Sequence, residues 1–243
     1  MQNEAQEMAS RYVRFEMGEL ARVAAHAVGS ISCVMSEKFV DGMHNKARLL
    51  TMNDGKKVVV KIPNPNAGEA HFTTASEVAT MEMIRTVCKI FVPKLYAWCS
   101  NALETSVGAE YIIMEKALGV PLKSVWQKLG LADRFALTKN ICRFQAAWTS
   151  ATYEGYGSIY YASDLKGLDG LSLGSPTGDG KYVLGPTTGR DWNDDGRQHV
   201  AFDRGPCESF HADYHAVRSD HAIRGNARKL FEGNRSPGND LCR

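Results

Sequence analysis

Lys61 lies in the run VVVKIPNPNAG, where it interrupts an apolar strand that then breaks off into prolines, asparagines and a glycine. A strand that looks buried and carries a cation raises the question of what the cation binds. The simplest interpretation is an edge-strand lysine whose stem covers apolar surface while its ammonium reaches water. On the residues alone, that interpretation and a binding role both stay open.

Two other groups of residues have the chemistry of metal ligands. His211 and His215 would share one face of a helix, but no third ligand is evident, and a solvated pair is the simpler interpretation. The segment GPTTGRDWNDDGR contains three aspartates, whose spacing does not fit the D-x-[DN]-x-[DN]-G calcium loop. They are Asp191, Asp194 and Asp195. The sequence therefore predicts no metal site.

The composition is that of an ordinary globular protein. Hydrophobic residues make up 44% and charged residues 23% of the 243 positions, which is close to the usual averages. The net charge of +2 gives no electrostatic reason to expect nucleic acid or an anionic membrane surface as the main partner. No run approaches the ~18 apolar residues of a membrane span, and six scattered cysteines predict reduced thiols.

Hydrophobic periodicity predicts a helix, three strands, a second helix and two more strands. The first helix is predicted over 19–28 with Gly29 as its stop signal, and Asp54-Gly55 predicts a hairpin between the second and third strands. The second helix is predicted over 74–88. The strands are predicted over 32–40, 45–52, 57–62, 94–99 and 110–116.

From Pro121 the pattern turns helical. One face of the longest predicted helix consists of Leu137, Ile141, Phe144 and Trp148. Beyond about residue 153 the periodicity fades and glycines dominate, so we expect loops with a short hairpin there, followed by a frayed end.

Several blocks of the chain resemble the fungal branch of the aminoglycoside-phosphotransferase-type kinases, which includes proteins named for altered inheritance of mitochondria. These blocks are NKARLLTMNDGKKVVVKIPNPNAG, TTASEVATMEMIR, VPKLYAWCS, GAEYIIMEKALGVPL and YGSIYYASDL. The resemblance runs from about Arg11 to about Ala216. It implies an α+β fold with a protein-kinase-like small lobe, made of a five-stranded antiparallel sheet and one helix, over 1–117. A partial helical large lobe with an insert would follow over 118–216, and a divergent, flexible tail over 217–243.

The resemblance also implies a role for Lys61. In kinase-like folds a lysine on the third strand reaches the α- and β-phosphates of ATP, and a glutamate on the following helix holds it in place. Glu77 is the candidate glutamate, because Glu82 lies too close to Pro93. A second interpretation of Glu77 stays open, since Thr74 to Glu77 fits a capping box in which the glutamate bonds back to the helix start.

The remaining nucleotide contacts are also implied by the resemblance. The backbone carbonyl of Glu115 and the backbone N–H of Ala117 would bind adenine, with Met114 at the gate, unless this is an ordinary buried strand leaving the sheet. The nucleotide loop would be 40–46, VDGMHNK, which contains Gly42 and Asn45. A solvent-exposed hairpin turn is the alternative for this loop.

The catalytic segments of the family are missing from this sequence. Kinases of this fold carry H-G-D-x-x-x-x-N and a later metal-binding aspartate for Mg²⁺. The nearest string here, FHADYH, has Arg218 in place of the asparagine, and the family alignment makes Asp213 a surface helix residue. We therefore expect a chain that stops before its chemistry.

Three functions remain under consideration. Full-length relatives would transfer the γ-phosphoryl group of ATP to a small-molecule hydroxyl, whereas this chain would be inactive. It could instead be a nucleotide-binding pseudokinase or scaffold, or an unstable fragment. The names of relatives imply a mitochondrial location, but the start of the chain is not Arg-rich and contains Glu4 and Glu7, which leaves the cytoplasm as the alternative.

Overall fold

A computed structural model describes residues 11–150, 153–165, 167–168, 170–173, 180–190 and 203–208. The helices are α1 (Met17–Ala27), α2 (Phe72–Thr86), α3 (Leu122–Val125) and α4 (Leu131–Thr149). The strands are β1 (Cys33–Lys38), β2 (Asn45–Met52), β3 (Lys57–Pro63), β4 (Leu95–Cys99), β5 (Tyr111–Glu115), β6 (Ser158–Tyr161), β7 (Leu171–Ser172) and β8 (Tyr182–Gly185). The described part is α+β.

The first five strands form one antiparallel sheet in the order β1-β2-β3-β5-β4. The predicted hairpin between β2 and β3 is confirmed: Gly55 has φ +85°, and the Gly55 N–H donates to the Met52 carbonyl at 3.0 Å. Glycine suits this position because a left-handed backbone costs it no Cβ clash. Since β3 lies in the middle of the sheet, Lys61 is not on an edge strand.

The two faces of β3 differ in burial because side chains alternate along a strand. Val58, Val60 and Ile62 are at most 1% exposed, and they share a core with Leu20 and Ala24 of α1. Their neighbours along β3, including Lys61, are more accessible. The sheet therefore has a sealed face under α1 and a more open face on which Lys61 lies.

A second antiparallel sheet, in the order β6-β8-β7, packs against α2. Ala79 and Met83 of α2 form a cluster with Leu173, Tyr182 and Leu184. The sequence predicted loops with a short hairpin after residue 153, whereas the structure has a sheet of three short strands there. Strands of two to four residues are too short to reveal an alternating pattern.

Glu82 joins α2 to this second sheet. Its carboxylate accepts a hydrogen bond from the Tyr161 hydroxyl and another from Lys181 Nζ at 2.7 Å. Burial by itself would raise the pKa of Glu82, but the bonds from Lys181 and Tyr161 outweigh it and lower the pKa. Glu82 is thus engaged away from Lys61, in agreement with the choice of Glu77 as the lysine's partner.

Replacing Glu82 by glutamine is expected to make the free energy of unfolding less dependent on pH in the acid range. The pKa of Glu82 in the folded state lies below its usual value of 4.5. The bonds to Glu82 therefore stabilise the fold fully above pH 4.5, and this stabilisation is lost as the pH falls through the lower, folded-state pKa. Wild-type protein should therefore lose more unfolding free energy between about pH 5 and pH 3 than E82Q. Urea titrations across this range measure both slopes. Y161F removes one of the two bonds and should give an intermediate slope, whereas equal slopes for wild type and E82Q would contradict the assignment.

Directly after β5 the chain forms α3, a short helical turn and α4. No residue of α4 is buried, and the predicted apolar face remains open, with Ile141, Phe144 and Trp148 between 41% and 52% exposed. In the described part of the predicted region 118–216, the α-helices end at Thr149 and strands follow from Ser158. The predicted tail over 217–243 lies outside the described residues.

Within the described residues no helix is long and apolar enough to cross a membrane. The same part of the chain contains no group of three or more His, Cys, Asp or Glu side chains that could hold a metal ion. The five described cysteines are free thiols, and burial raises the pKa of Cys88 and Cys99.

Candidate nucleotide site

An ion pair joins β3 to α2. Lys61 Nζ lies 2.5 Å from both carboxylate oxygens of Glu77, and the two side chains are 23% and 33% exposed. A carboxylate that accepts two charge-assisted bonds fixes the position of the ammonium more firmly than a single contact would. Glu77 of α2 therefore holds the Lys61 ammonium in position, while the lysine side chain stays partly accessible.

The start of α2 decides between the two interpretations of Glu77. The helix begins at Phe72, with His71 as the residue before it, so Glu77 lies beyond the third helical position that a capping box requires. Glu110 satisfies this helix end instead, because its carboxylate accepts from the His71 N–H at 2.8 Å and from the Thr74 hydroxyl at 2.5 Å. Glu77 is consequently available to Lys61.

The strand register gathers apolar side chains on the same sheet face as Lys61. Lys61 is paired with Ala47 on β2, and Val59 is paired with Met114 on β5. Paired residues, and residues two apart along a strand, point to the same face. Ala47, Val59 and Met114 are all partly exposed. The cation thus borders a partly open apolar surface.

The predicted hinge residues lie at the end of β5. The Glu115 N–H donates to the Lys94 carbonyl at 2.8 Å, and the Glu115 carboxylate accepts from the Lys94 N–H at 3.0 Å. Ala117 lies two residues beyond the strand and is exposed. Two hydrogen bonds with the Lys94 backbone thus fix the end of the strand at Glu115, and the exposed residue Ala117 follows.

The predicted nucleotide loop connects β1 to β2. The Gly42 N–H donates to the Asn45 carbonyl at 3.0 Å, and a Cβ on Gly42 would meet that carbonyl oxygen at 3.1 Å. Asn45 is the first residue of β2, opposite Pro63. By strand alternation it points to the face of Lys61, two positions from Ala47.

Several sequence predictions fall on residues that the structure does not describe. Asp213 and the histidine pair of His211 and His215 lie outside the described residues, as do the three aspartates at 191, 194 and 195. These predictions therefore stay predictions.

Sequence reasoning assigned no role to the asparagines in the connector after β3. Asn64 is only 4% exposed and donates its side-chain N–H to the Met43 carbonyl at 3.4 Å, while Asn66 donates to the same carbonyl at 3.3 Å. The signal in the sequence was the pairing of asparagine with proline in NPN, because asparagine side chains commonly bond nearby backbone in turns.

Comparison with known proteins places the chain among fungal relatives. It is 35% identical over 175 residues to a subtelomeric hrmA-associated cluster protein of Aspergillus fumigatus, which covers 72% of this chain and 33% of the relative. It is also similar to fungal proteins named altered inheritance of mitochondria protein 9, mitochondrial. The Debaryomyces hansenii protein is 30% identical over 142 residues, covering 55% of this chain and 22% of the relative. The Yarrowia lipolytica protein is 24% identical over 213 residues, covering 77% and 37%.

The chain thus spans between 22% and 37% of the length of these curated relatives. No family model matches the sequence. No solved structure matches it either. The relatives' names give a fungal context, and those of the second group give a mitochondrial one.

Proposed function

We propose that this chain is an ATP-binding module of the aminoglycoside-phosphotransferase type that does not itself transfer the γ-phosphoryl group. The observation that carries the proposal is the ion pair between Lys61 and Glu77 beside a partly open apolar sheet face. A nucleotide needs these two features together, since its phosphates require a cation and its base requires an apolar surface.

The phosphate end of the ligand would lie at Lys61. Among the described residues, the ammonium bonds only to Glu77. An ammonium has three N–H donors, so one remains for a phosphate oxygen after two bonds to the carboxylate. Because the Lys61 side chain is 23% exposed, it is accessible and still partly shielded from water. Partial shielding strengthens its attraction for an anionic phosphate.

The base end of the ligand would lie toward the end of β5. Ala47, Val59 and Met114 offer a partly exposed apolar surface. Ala117 is an exposed residue at its margin, and its main-chain groups would bond to the base. Main-chain groups in such a position can read the edge of a purine, while side chains give apolar contact. This division of contacts supports ATP over an inorganic anion as the ligand.

The absence of turnover follows from residues that the sequence does not supply. Phosphoryl transfer depends on an aspartate that orients the acceptor hydroxyl and on an asparagine and an aspartate that bind Mg²⁺. The present sequence contains no H-G-D-x-x-x-x-N segment. Positioning and charge stabilisation provide most of the catalysis of this reaction, so a chain without these groups should bind and not turn over.

The setting we propose is mitochondrial, and its support is the printed name of the similar fungal proteins. The acceptor of the full-length relatives would be a small-molecule hydroxyl, by the resemblance described above. Neither statement is needed for ATP binding, which depends on residues of this chain alone.

Thermal unfolding with added nucleotide tests the proposed function. A ligand that binds only the folded state stabilises it by about 2.7 kcal/mol at 100 times its Kd. We expect the Tm to rise with the logarithm of ATP concentration, with no release of ADP or phosphate over hours in the presence of Mg²⁺. An unchanged Tm at millimolar ATP would refute nucleotide binding, whereas steady ADP release would refute the absence of turnover.

A further inference from the structure

The connector between β3 and α2 holds the loop between β1 and β2 by three hydrogen bonds. The Asn64 backbone N–H donates to the His44 carbonyl at 2.8 Å. The side chains of Asn64 and Asn66 both donate to the Met43 carbonyl, at 3.4 and 3.3 Å. Two consecutive loop carbonyls are thereby tied to a segment that is continuous with the strand of Lys61.

Lys46 fixes the orientation of the Asn64 amide. Its ammonium donates to Asn64 Oδ1 at 2.8 Å and to the Arg11 carbonyl. Because an ammonium can only donate, the amide oxygen must face Lys46, and the amide nitrogen then faces Met43. Burial is the main cause that lowers the pKa of Lys46; Lys38 adds to the effect and Asp41 opposes it. Lys46 is thus bound to Asn64 and Arg11 on the sheet face opposite to that of Lys61.

Among the loop's side chains, Asp41 accepts a hydrogen bond from Lys38 Nζ at 2.8 Å, and several others are exposed. Val40 is 97% exposed, and Phe39 and Met43 are also exposed. Apart from the bonds to the connector, the Gly42 N–H closes the loop on Asn45, and Arg190 donates to the His44 ring. The main restraints on the carbonyls of Met43 and His44, within the described residues, therefore come from the connector.

The register links this loop to the cation. Ala47 lies opposite Lys61, and the loop meets β2 at Asn45, two residues before Ala47. On the neighbouring strand, the connector begins at Asn64, three residues after Lys61. The loop and the cation are therefore held at the same end of the sheet by one short stretch of chain.

We propose that Asn64 and Asn66 are positioning residues that hold the β1–β2 loop beside Lys61 and so set the affinity for the phosphates of the nucleotide. This inference rests on the proposed function. In this proposal the position of the loop determines how tightly the phosphates bind. Contacts to the base do not depend on the two asparagines. The two residues act through the Met43 and His44 carbonyls and do not themselves touch the ligand.

The test compares Asn64→Ala and Asn66→Ala with wild type in two measurements. Hydrogen exchange reports the protection of the amides from 40 to 45, and calorimetry reports the Kd for ATP and for adenosine. We expect faster exchange in the loop alone. Each lost hydrogen bond should weaken ATP binding about two- to tenfold, with the Kd for adenosine unchanged. A merely structural role would weaken both ligands together. Asn66 is only partly buried, whereas Asn64 is buried, so the Asn66 variant should fold even if the Asn64 variant does not.

Asn101→Ala is the matched control, because its side chain accepts from the Leu103 N–H at 3.1 Å in a turn outside the loop. It should change neither loop exchange nor the ratio of the two affinities. If wild type binds ATP and both asparagine variants bind it equally well, this inference is overturned while the proposed function stands. Equal losses for ATP and adenosine would also overturn it. If wild type binds no ATP, the proposed function fails, and this inference fails with it.

Discussion

Replacing Lys61 by alanine is expected to weaken ATP binding about 10- to 100-fold, since a hydrogen bond to a charged group contributes about 1.5–3 kcal/mol. The substitution also leaves the Glu77 carboxylate without its described partner, and this carboxylate would then repel the phosphates. Isothermal titration calorimetry with ATP measures the change. The affinity for adenosine should fall far less, because adenosine carries no phosphate charge.

Glu77→Gln is the control for this prediction. It removes the negative charge of Glu77 but leaves the Lys61 ammonium in place, so the loss of ATP affinity should be smaller than in K61A. The ion pair itself adds little to folding, because both groups are partly exposed and such pairs contribute about 1 kcal/mol or less. Wild-type ATP affinity in K61A would contradict the assigned role of Lys61.

Replacing Ile62 by alanine should lower the stability of the fold and leave the ATP affinity unchanged. This is the reverse of the result expected for Lys61, its neighbour in the chain. Ile62 is 0% exposed on the sealed face under α1. Truncating a buried isoleucine to alanine typically costs about 2–5 kcal/mol through lost apolar contact and the cavity left behind. We expect that loss in the free energy of unfolding, measured by urea denaturation, with the ATP affinity of the folded protein unchanged.

Ile62→Val supplies a milder version of the same change. It should cost about 0.5–1.5 kcal/mol, which keeps the protein folded even if I62A is too unstable to titrate. A loss of ATP affinity in I62V comparable to that in K61A would mean that the two faces of β3 are not independent. Such a result would contradict the separation of core and ligand surface.

The five-stranded sheet was predictable from the sequence because its signals are local. The Asp54-Gly55 turn fixes one hairpin, and alternation along β3 separates buried from accessible positions. Local signals also placed the first helix within two residues of its observed ends. Each of these elements is specified by residues close together in the chain.

Other features depend on residues far apart in the chain and were missed for that reason. The start of α2 is set by Glu110, which lies 39 residues beyond His71, so the local capping-box pattern at Thr74 was misleading. The second sheet consists of strands of two to four residues, which become stable by packing on α2. The bonds from Asn64 and Asn66 to the loop span more than 20 residues. Side-chain type could suggest these contacts but not identify their partners.

Reaction with an acyl phosphate derivative of ATP tests directly whether Lys61 lies beside the phosphates of a bound nucleotide. In this reaction a lysine amine attacks the acyl carbon, the bond from that carbon to the phosphate oxygen breaks, and the nucleotide leaves. Peptide mass spectrometry then identifies the acylated lysines. We expect acylation concentrated on Lys61 and suppressed by excess ATP, with little on Lys46, whose side chain points to the opposite face of the sheet. Acylation spread over surface lysines, or acylation of Lys61 that ATP does not suppress, would contradict the account.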